Sequence, residues 1–233
     1  MISIFVPIRK GSKRVKNKNI KKFNKYKLGL TELKILQLKR LREKIIRKKI
    51  FKHDFEFIVS TDILSVIDFC KKFNWIKIHK RNLRDSTDNS LQRLINLVPS
   101  ICNGNYILWT HVTSPFFSSS SYINFLKIYF KYSKINRSKS GFSAETINKF
   151  VYSKNKKWLS HNEKVLKWPR TQDLDPLYIM NSAAIIAEKS IYLNQKNRLC
   201  KKPLPITVDS KCGLDIDNNE DFEALKKVKN FLI

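Results

Sequence analysis

The first stretch with the composition of a ligand-binding loop is VPIRKGSKRVKNKN, residues 6–19, which directly follows a short apolar run. Its glycine lets the backbone approach an oxyanion, its serine supplies a hydroxyl, and its Lys and Arg side chains neutralise phosphate charge. The residues that combine these properties are Arg9, Gly11, Ser12, Lys13, Lys18 and Asn19. Because the loop is neither G-x-x-x-x-G-K-[ST] nor G-x-G-x-x-G, both a phosphate cradle and a solvated basic loop remain open.

Two carboxylates, Asp215 and Asp217, stand two residues apart in CGLDIDNNEDFEAL near the end of the chain. Side chains at i and i+2 of an extended segment point to the same side, so this pair can share a hard cation. Mg²⁺ held in this way keeps several waters and bridges phosphates. A lone D-x-D more often marks a turn, but a phosphate-binding loop in the same chain favours the metal.

Apolar runs and amphipathic patterns alternate along the chain and must position these residues. Continuous apolar runs predict strands, and apolar residues at intervals of three and four predict helices. The predicted strands are 2–8, 55–60, 75–79, 106–112 and 181–188, and the predicted helices are 30–48, 63–73, 90–98, 121–132 and 219–231. The alternation predicts an α/β protein with a mostly parallel, doubly wound nucleotide-binding sheet, whose ligands bind beyond the carboxyl ends of the strands.

The alternation is interrupted between residues 140 and 180. The segments SGFSAETI and FVYSKNKKWLS have the character of short β pieces, and KWPRTQDLDPLY has no helical period. A length of 233 residues is typical of one domain. We therefore expect a single domain over 1–233, in which 140–180 is a small α+β excursion that serves as a substrate lid or dimerisation arm.

The net charge of +28 attracts anions, and it suits a nucleotide as well as a nucleic acid. The excess lysine is spread along the chain together with many Asn, Ile and Phe residues, as AT-rich coding sequence would produce. No nucleic-acid fold signature or arginine–aromatic platform accompanies it. We expect no specific nucleic-acid partner; a non-enzymatic nucleic-acid-binding protein is the alternative from another functional class.

The cysteines and the apolar segments exclude several other classes. Cys70, Cys102, Cys200 and Cys212 form no C-x-x-C pair, so neither a disulfide framework nor a zinc site is predicted. No apolar run approaches the roughly 18 residues of a membrane span, and the first apolar stretch lacks the features of a signal peptide. We expect a cytoplasmic protein with no membrane partner.

Five short motifs occur in order between Pro7 and Phe222. They are P-x-R-x-G-S-K-R-x-x-x-K-N after the first strand, V-S-T-D after the second, T-S-P after a central strand, R-x-Q-x-L followed by N-S-A, and D-I-D-x-x-x-D-F-E. Together they resemble the CMP-sialic acid synthetase family, cytidylyltransferases that activate 2-keto sugar acids. The resemblance implies a nucleotide-diphospho-sugar transferase-like fold, CTP and a sugar acid as substrates, Mg²⁺ as cofactor, and a homodimer.

The resemblance also implies roles for the matching residues. On the nucleotide side, CTP would be bound by Arg9, Gly11, Ser12, Lys13, Lys18 and Asn19, with Asp85 and Ser90 of the loop LRDSTDNS as further contacts. On the acceptor side, the sugar acid would be bound by His111, Thr113, Ser114, Arg170, Gln172 and Asn181. Asp215 and Asp217 would hold Mg²⁺, and catalysis would depend on Lys18, Arg9 and Asp217.

The sequence departs from the family's pattern at the turn after the central strand. Where the family usually has Q-P-T-S-P, this chain has H-V-T-S-P, beginning at His111. A hydrogen-bonded core histidine and a sugar-contacting histidine are both open, and we favour the second. The predicted function is transfer of CMP from CTP to the anomeric hydroxyl of a nonulosonic, sialic-acid-like sugar acid, with release of pyrophosphate; a ketodeoxyoctonate-type acid is the alternative acceptor.

Overall fold

The computed structural model describes residues 1–12, 14–82 and 91–228. Within this part of the chain seven strands form one sheet in the order β3-β2-β1-β4-β6-β5-β7. The strands are β1 Ile2–Ile8, β2 Phe55–Thr61, β3 Ile76–Lys80, β4 Tyr106–Trp109, β5 Ser140–Ile147, β6 Leu177–Glu188 and β7 Leu204–Thr207. The helices are α1 Gly29–Lys48, α2 Leu64–Cys70, α3 Leu91–Ile101, α4 Ser119–Ile135, α5 Lys189–Gln195, α6 Ser210–Gly213 and α7 Asn219–Lys226.

Of the described strands, β6 alone runs against the others. β1 pairs in parallel with β2 and β4, β2 with β3, and β5 with β7, whereas β6 is antiparallel to both β4 and β5. The prediction of a mostly parallel sheet is therefore confirmed. Because Trp109 at the end of β4 pairs with Ile185, the earlier residues of β6 lie beyond the carboxyl ends of β1 and β4.

Helices cover both faces of the sheet, as the doubly wound prediction requires. Ile4 and Val6 of β1 belong to one apolar cluster, which includes residues of α1, α2, α4 and α7. Phe5 between them belongs to a second cluster on the other face, with residues of α3 and α5. A central strand that is buried on both faces has to be apolar throughout, which explains the continuous run at the start of the chain.

Several predicted elements differ from the observed ones in their bounds; β6, for example, begins at Leu177 rather than at 181, and α2 ends at Cys70 rather than at 73. β4 ends at Trp109 rather than at residue 112, because after Thr110 donates to the Phe5 carbonyl at 3.0 Å the chain turns towards α4. The segment 150–160, predicted as β structure, contains an isolated bridge between Tyr152 and Trp158, since it folds back on itself instead of joining the sheet. The last helix ends at 226, and residues 229–231 lie outside the described residues.

The excursion predicted at 140–180 begins and ends in strands of the main sheet. β5 and β6 pair with each other as far as Ile147 and Leu177, which leaves residues 148–176, called the arm below, between them. Aromatic rings gather in the arm, where the Phe150 ring centroid lies 5.5 Å from those of both His161 and Trp168. The lid or dimerisation role remains a prediction.

In the described ranges no helix is both long enough and apolar enough to cross a membrane. The four cysteines are free thiols. Burial raises the pKa of Cys70 and of Cys102 to about 12, so both stay protonated and unreactive near neutral pH.

Candidate active site

A cleft of about 610 Å³ opens at the edge of the sheet where β1, β3 and β4 end. This is the edge at which open α/β sheets bind their ligands. The cleft combines cations, carboxylates and hydroxyl groups with apolar side chains. Predicted site residues in its lining are Arg9, Ser12, Lys18, Asn19, His111, Thr113, Asp215 and Asp217.

Hydrogen bonds tie the described residues of the loop after β1 to their surroundings. Gly11 has a φ of +82°, in the left-handed region that favours glycine. The Lys10 N–H donates to the Asp62 carboxylate at 2.8 Å, which ties the loop to the end of β2. The Asn19 side chain donates to the Arg9 carbonyl at 3.0 Å, so its amide already holds the two ends of the loop together. The basic loop is therefore anchored at both ends.

Lys18 joins this loop to the carboxylate pair. Its ammonium group donates to the main-chain carbonyl of Ile216, the residue between Asp215 and Asp217. Desolvation of the half-buried ammonium lowers the pKa of Lys18, while the two carboxylates act in the opposite direction. Arg14 adds a second cation, with its guanidinium 2.9 Å from the Asp217 carboxylate. Cations of the first motif and carboxylates of the last motif thus lie side by side.

Asp215 is the more buried of the two carboxylates, and burial raises its pKa. Hydrogen bonding with the Thr113 side chain acts against that rise. The Ile216 N–H donates to the Thr113 carbonyl and to the Asp215 carboxylate, each at 3.0 Å. The T-S-P turn, residues 113–115, therefore holds the D-I-D segment in place at the cleft.

A fully buried lysine lies behind the T-S-P turn. Lys34 of α1 donates to the Ser114 carbonyl at 3.1 Å and to the Tyr122 hydroxyl at 3.0 Å, and burial lowers the pKa of Lys34 to about 7. Gln37, one turn further along α1, donates to the Pro115 carbonyl at 2.7 Å. Sequence reasoning missed both residues. The available signal was a polar residue at each of two positions where the helical period of α1 places a buried, usually apolar, side chain.

Trp109 and His111 form another part of the lining. The Trp109 indole N–H donates to His111 Nε2 at 2.9 Å, and the Arg198 guanidinium lies 5.1 Å from the centroid of the Trp109 ring. Desolvation, followed by the field of Arg198, lowers the pKa of His111 to about 3. The imidazole is therefore neutral near pH 7. His111 is hydrogen-bonded, as the interpretation of a core histidine requires. It also lines the cleft, as the interpretation of a sugar-contacting histidine requires.

Arg81, which no motif signalled, lines the cleft just after β3. It is only 8% exposed, and its Nε donates to the Ser60 hydroxyl at 2.9 Å. The main-chain N–H of Arg81 donates to the Thr61 carbonyl at 2.9 Å, which continues the pairing of β2 and β3 by one residue. A cation directly after a predicted strand was the available signal, because ligands bind where such strands end.

The residues predicted to contact the acceptor are not all at the cleft. Thr113 lines it, whereas Ser114 is fully buried and its carbonyl accepts from Lys34 of α1, so its contact with a substrate stays a prediction. Arg170 and Gln172 are exposed on the arm, where Arg170 pairs with Asp173 at 2.7 Å, and neither lines the cleft of its own chain. The motif that contains Arg170 and Gln172 indicates their chemistry, but their position relative to the cleft depends on where β5 and β6 place the arm.

Three predicted contacts, Lys13, Asp85 and Ser90, lie outside the described residues. Asn181 is half-buried next to Ser182, which lines the cleft.

Asp215 and Asp217 are the residues of the cleft that could hold Mg²⁺. Carboxylate oxygens are hard donors, and this pair lines the cleft beside the cations of the first loop. In the described part of the chain no group of three or more His, Cys, Asp or Glu side chains could hold a metal. Water and phosphate oxygens would therefore complete the coordination, which is the arrangement Mg²⁺ favours at nucleotide sites. The donor set fits Mg²⁺.

Comparison with protein-family models matches residues 3–231 to the family described as cytidylyltransferase. A search of curated proteins gives no significant match.

Solved structures share the fold at low sequence identity. The 4-diphosphocytidyl-2C-methyl-D-erythritol synthase from Anaerococcus prevotii superimposes with a TM-score of 0.63 at 12% identity, covering 97% of this chain and 94% of that one. A CMP:2-keto-3-deoxy-manno-octonic acid synthetase in complex with CTP gives a TM-score of 0.61 at 11% identity, covering 97% of this chain and 96% of that one. These likenesses support the fold alone.

The buried Lys34 predicts a specific dependence of stability on pH. Its pKa is about 7 in the folded chain against an ordinary 10.5, so between these values the unfolded chain binds more protons. Lys34 therefore makes the free energy of unfolding rise with pH above 7, by up to about 1.4 kcal/mol per pH unit. Replacing it by Met should remove that contribution. Urea denaturation of wild type and Lys34→Met at pH 6 to 9 measures it.

The matched control is Lys39→Met, an exposed lysine on the same helix, whose curve should run parallel to that of the wild type. If the free energy of unfolding changed with pH in the same way for wild type and Lys34→Met, the lowered pKa of Lys34 would be contradicted.

Proposed function

The chain belongs to the cytidylyltransferase family, and from this premise we propose that it transfers CMP from CTP to the anomeric hydroxyl of a nonulosonic, sialic-acid-like sugar acid. The acceptor hydroxyl releases its proton to solvent and its oxygen forms a bond to the α-phosphorus, while the bond between that phosphorus and the α–β bridging oxygen breaks and pyrophosphate leaves. The observation that carries the proposal is one cleft in which Arg9, Ser12 and Lys18 lie with Asp215 and Asp217.

On the nucleotide side, the cations of the loop after β1 would bind the phosphates. Arg9 and Lys18 would stabilise the charge that develops on the transferring phosphate and on pyrophosphate, because fixed cations in a partly desolvated cleft need no reorganisation. Ser12 would donate a hydrogen bond to a phosphate oxygen. Arg81, nearly buried at the end of β3, would add a further positive charge. Catalysis would rest on positioning and charge stabilisation rather than on a covalent intermediate.

Mg²⁺ would be held by Asp215 and Asp217. When bound, such an ion acts as a Lewis acid on phosphate oxygens and lowers the pKa of a coordinated hydroxyl. The protein supports the two carboxylates through the hydrogen bonds of Ile216 and Thr113 described above. Arg14, which pairs with Asp217 and lines the same cleft, would add a further cation to the phosphate side.

On the acceptor side, His111 and Thr113 would contact the sugar acid. Neutral His111 accepts at Nε2 from Trp109, so its Nδ1 carries the proton and can donate to an acceptor oxygen. A ketodeoxyoctonate-type acid is the alternative acceptor, and a substrate panel separates the two.

We propose further that the chain acts as a homodimer through its arm. The arm exposes large apolar side chains to an unusual degree, with Val165 81% and Trp168 71% exposed. Exposed apolar patches of this kind favour a protein interface. Arg170, which lies on the same arm, would then be free to meet the carboxylate of a sugar acid in the partner's cleft.

The nucleotide half predicts selective stabilisation by CTP. With Mg²⁺ present, CTP at about 100 times its Kd should stabilise the fold by roughly 2.7 kcal/mol. UTP, ATP and GTP should give much smaller shifts in a thermal-unfolding assay. Equal shifts with all four nucleotides would mean that charge alone binds them, and the nucleic-acid-binding alternative would then be favoured.

The metal role predicts a large loss of turnover in Asp217→Asn. Turnover measured as pyrophosphate release should fall at least about 100-fold, because the neutral amide removes one of the two negative charges that would hold the cation. The fold should survive, since the Asp217–Arg14 pair is exposed and such pairs contribute little. Asp68→Asn, which also loses an exposed ion pair, is the matched control. Wild-type turnover in Asp217→Asn would refute the role.

The dimer proposal predicts that light scattering gives twice the mass of the 27.5 kDa chain. Trp168→Glu should shift the protein to monomer, because a charge would be buried in the interface. Tyr132→Glu, at an exposed position of α4, should leave the dimer intact. A monomeric wild type at assay concentrations would show that the arm does not dimerise.

A further inference from the structure

The segment 196–203, which connects α5 to β7, holds one arginine, Arg198, in a defined position. The Gln92 side chain of α3 donates to the Lys196 carbonyl at 2.6 Å, which ties the start of this segment to α3. The Asn197 side chain accepts from the main-chain N–H of Arg198 at 2.7 Å and so shapes the turn that carries the arginine. The main chain at Arg198 is therefore supported both by α3 and from within the segment.

The guanidinium of Arg198 lies where a positive charge is costly. Arg198 is half-buried, and desolvation lowers its pKa. One of its terminal nitrogens is buried without a hydrogen-bond partner among the described residues, and no carboxylate of those residues pairs with it. Withdrawing a charge from water without pairing it costs free energy. Stability alone therefore does not explain an arginine at this place.

The contact that the guanidinium does make is with the wall of the cleft. Its central carbon lies 5.1 Å from the centroid of the Trp109 ring, within the range of a cation–π interaction. Trp109 lines the cleft, and its indole N–H donates to His111 Nε2 at 2.9 Å. Arg198 thus reaches a histidine of the cleft through a single aromatic ring.

The hydrogen bond between Trp109 and His111 permits one state of the imidazole. An indole N–H donates and never accepts, so Nε2 must offer its lone pair. A proton on Nε2 would bring two donors face to face and break the bond. With Nε2 unprotonated, the single proton of the neutral ring is on Nδ1. The geometry therefore sets both the charge of His111 and the nitrogen that can donate.

The charged groups that act on His111 support the same state. Desolvation lowers the pKa of His111 most, and four cations from different parts of the fold lower it further. They are, in decreasing order of effect, Arg198, Lys34 of α1, Arg81 after β3 and Lys18 after β1. Each of these positive charges disfavours an imidazolium. Of the four, Arg198 acts most strongly, and it also contacts the ring that bonds to His111.

We propose that Arg198 is a positioning residue that acts through Trp109 to hold His111 as a neutral imidazole with its proton on Nδ1. Arg198 steadies the indole by stacking on it and repels a second proton by its charge. His111 can then donate from Nδ1 to an oxygen of the acceptor in acidic as well as neutral solution. A neutral ring also offers the phosphates no further cation at this wall, which leaves them to the loop after β1. The donation to an acceptor rests on the function proposed above, whereas the state of His111 does not.

Three variants separate the parts of this arrangement. Arg198→Leu removes both the charge and the stacking, and Arg198→Lys keeps the charge without the planar group. Trp109→Phe keeps a ring but removes the N–H. Arg47→Leu, which loses an exposed cation of α1, is the matched control. The state of the ring is read from nitrogen–proton NMR correlations of the imidazoles between about pH 4 and 8, with the His111 signals identified by their loss in His111→Gln.

We expect the wild-type ring to stay neutral over this range with its proton on Nδ1, because its pKa is about 3. Arg198→Leu should raise the midpoint by at least about one pH unit, since a like charge is removed, and Arg198→Lys should raise it less. Trp109→Phe should give a mixture of the two neutral tautomers. Arg47→Leu should match the wild type.

Stability and kinetics distinguish positioning from a structural role. Arg198→Leu should unfold in urea at the wild-type concentration or higher, because it replaces an unpaired buried charge by an apolar side chain. Its KM for the acceptor, measured by pyrophosphate release at about pH 6, should rise about tenfold, while the KM for CTP changes less than about twofold. A structural arginine would give the opposite result, with lost stability and an unchanged His111.

Failure of the inference and failure of the proposed function give different results. If His111 titrates near pH 6 in the wild type, or keeps its midpoint and tautomer in both Arg198 variants, Arg198 does not hold the ring and the inference is wrong. If the ring behaves as expected but the wild type turns over no acid of a panel of 2-keto sugar acids, the inference about Arg198 is supported and the proposed function is refuted.

Discussion

The buried amino group of Lys34 is the constraint on which the rest of the site depends. A polar group inside the protein is costly unless it is hydrogen-bonded, and here the Ser114 carbonyl and the Tyr122 hydroxyl accept those bonds whether or not the amine is protonated. The carbonyl belongs to the T-S-P turn, whose Thr113 carbonyl in turn accepts from Ile216. Hydrogen bonds from one buried amino group on the first helix therefore fix, through one turn, the segment that carries Asp215 near the other end of the chain.

The direction of β6 explains why both halves of a transfer reaction can meet at one edge. A purely parallel sheet brings only carboxyl ends of strands to that edge, which suits loops that bind phosphate. Because β6 runs the other way, its early residues reach the same edge, and an irregularity in its pairing with β5 at residues 181–184 divides their side chains between the cleft and α6. Loops after the parallel strands and the early residues of the reversed strand therefore meet at the same cleft.

Much of this arrangement could be predicted from the sequence, and the failures share a physical cause. The strands of the sheet centre were evident because burial on both faces demands continuous apolar runs, as in residues 2–8. The first loop and the D-I-D segment were evident because their chemistry is local. Lys34 and Arg81 were missed because their hydrogen-bond partners are distant in sequence, as Ser114 is from Lys34. The motif did not indicate that Ser114 is buried, because it does not show which side of the turn faces the cleft.

The net charge of +28 illustrates the same distinction between local composition and burial. Exposed lysines such as Lys10 and Lys16 interact with ligands through water, and salt screens that interaction beyond roughly 10 Å. Lys18 and Arg81 are partly or largely withdrawn from water, and Lys18 lies beside the carboxylates, so their charges act at short range and at defined positions. Tight binding of the phosphates can come from those few groups, whereas the remaining positive charge changes mainly the rate at which any anion arrives.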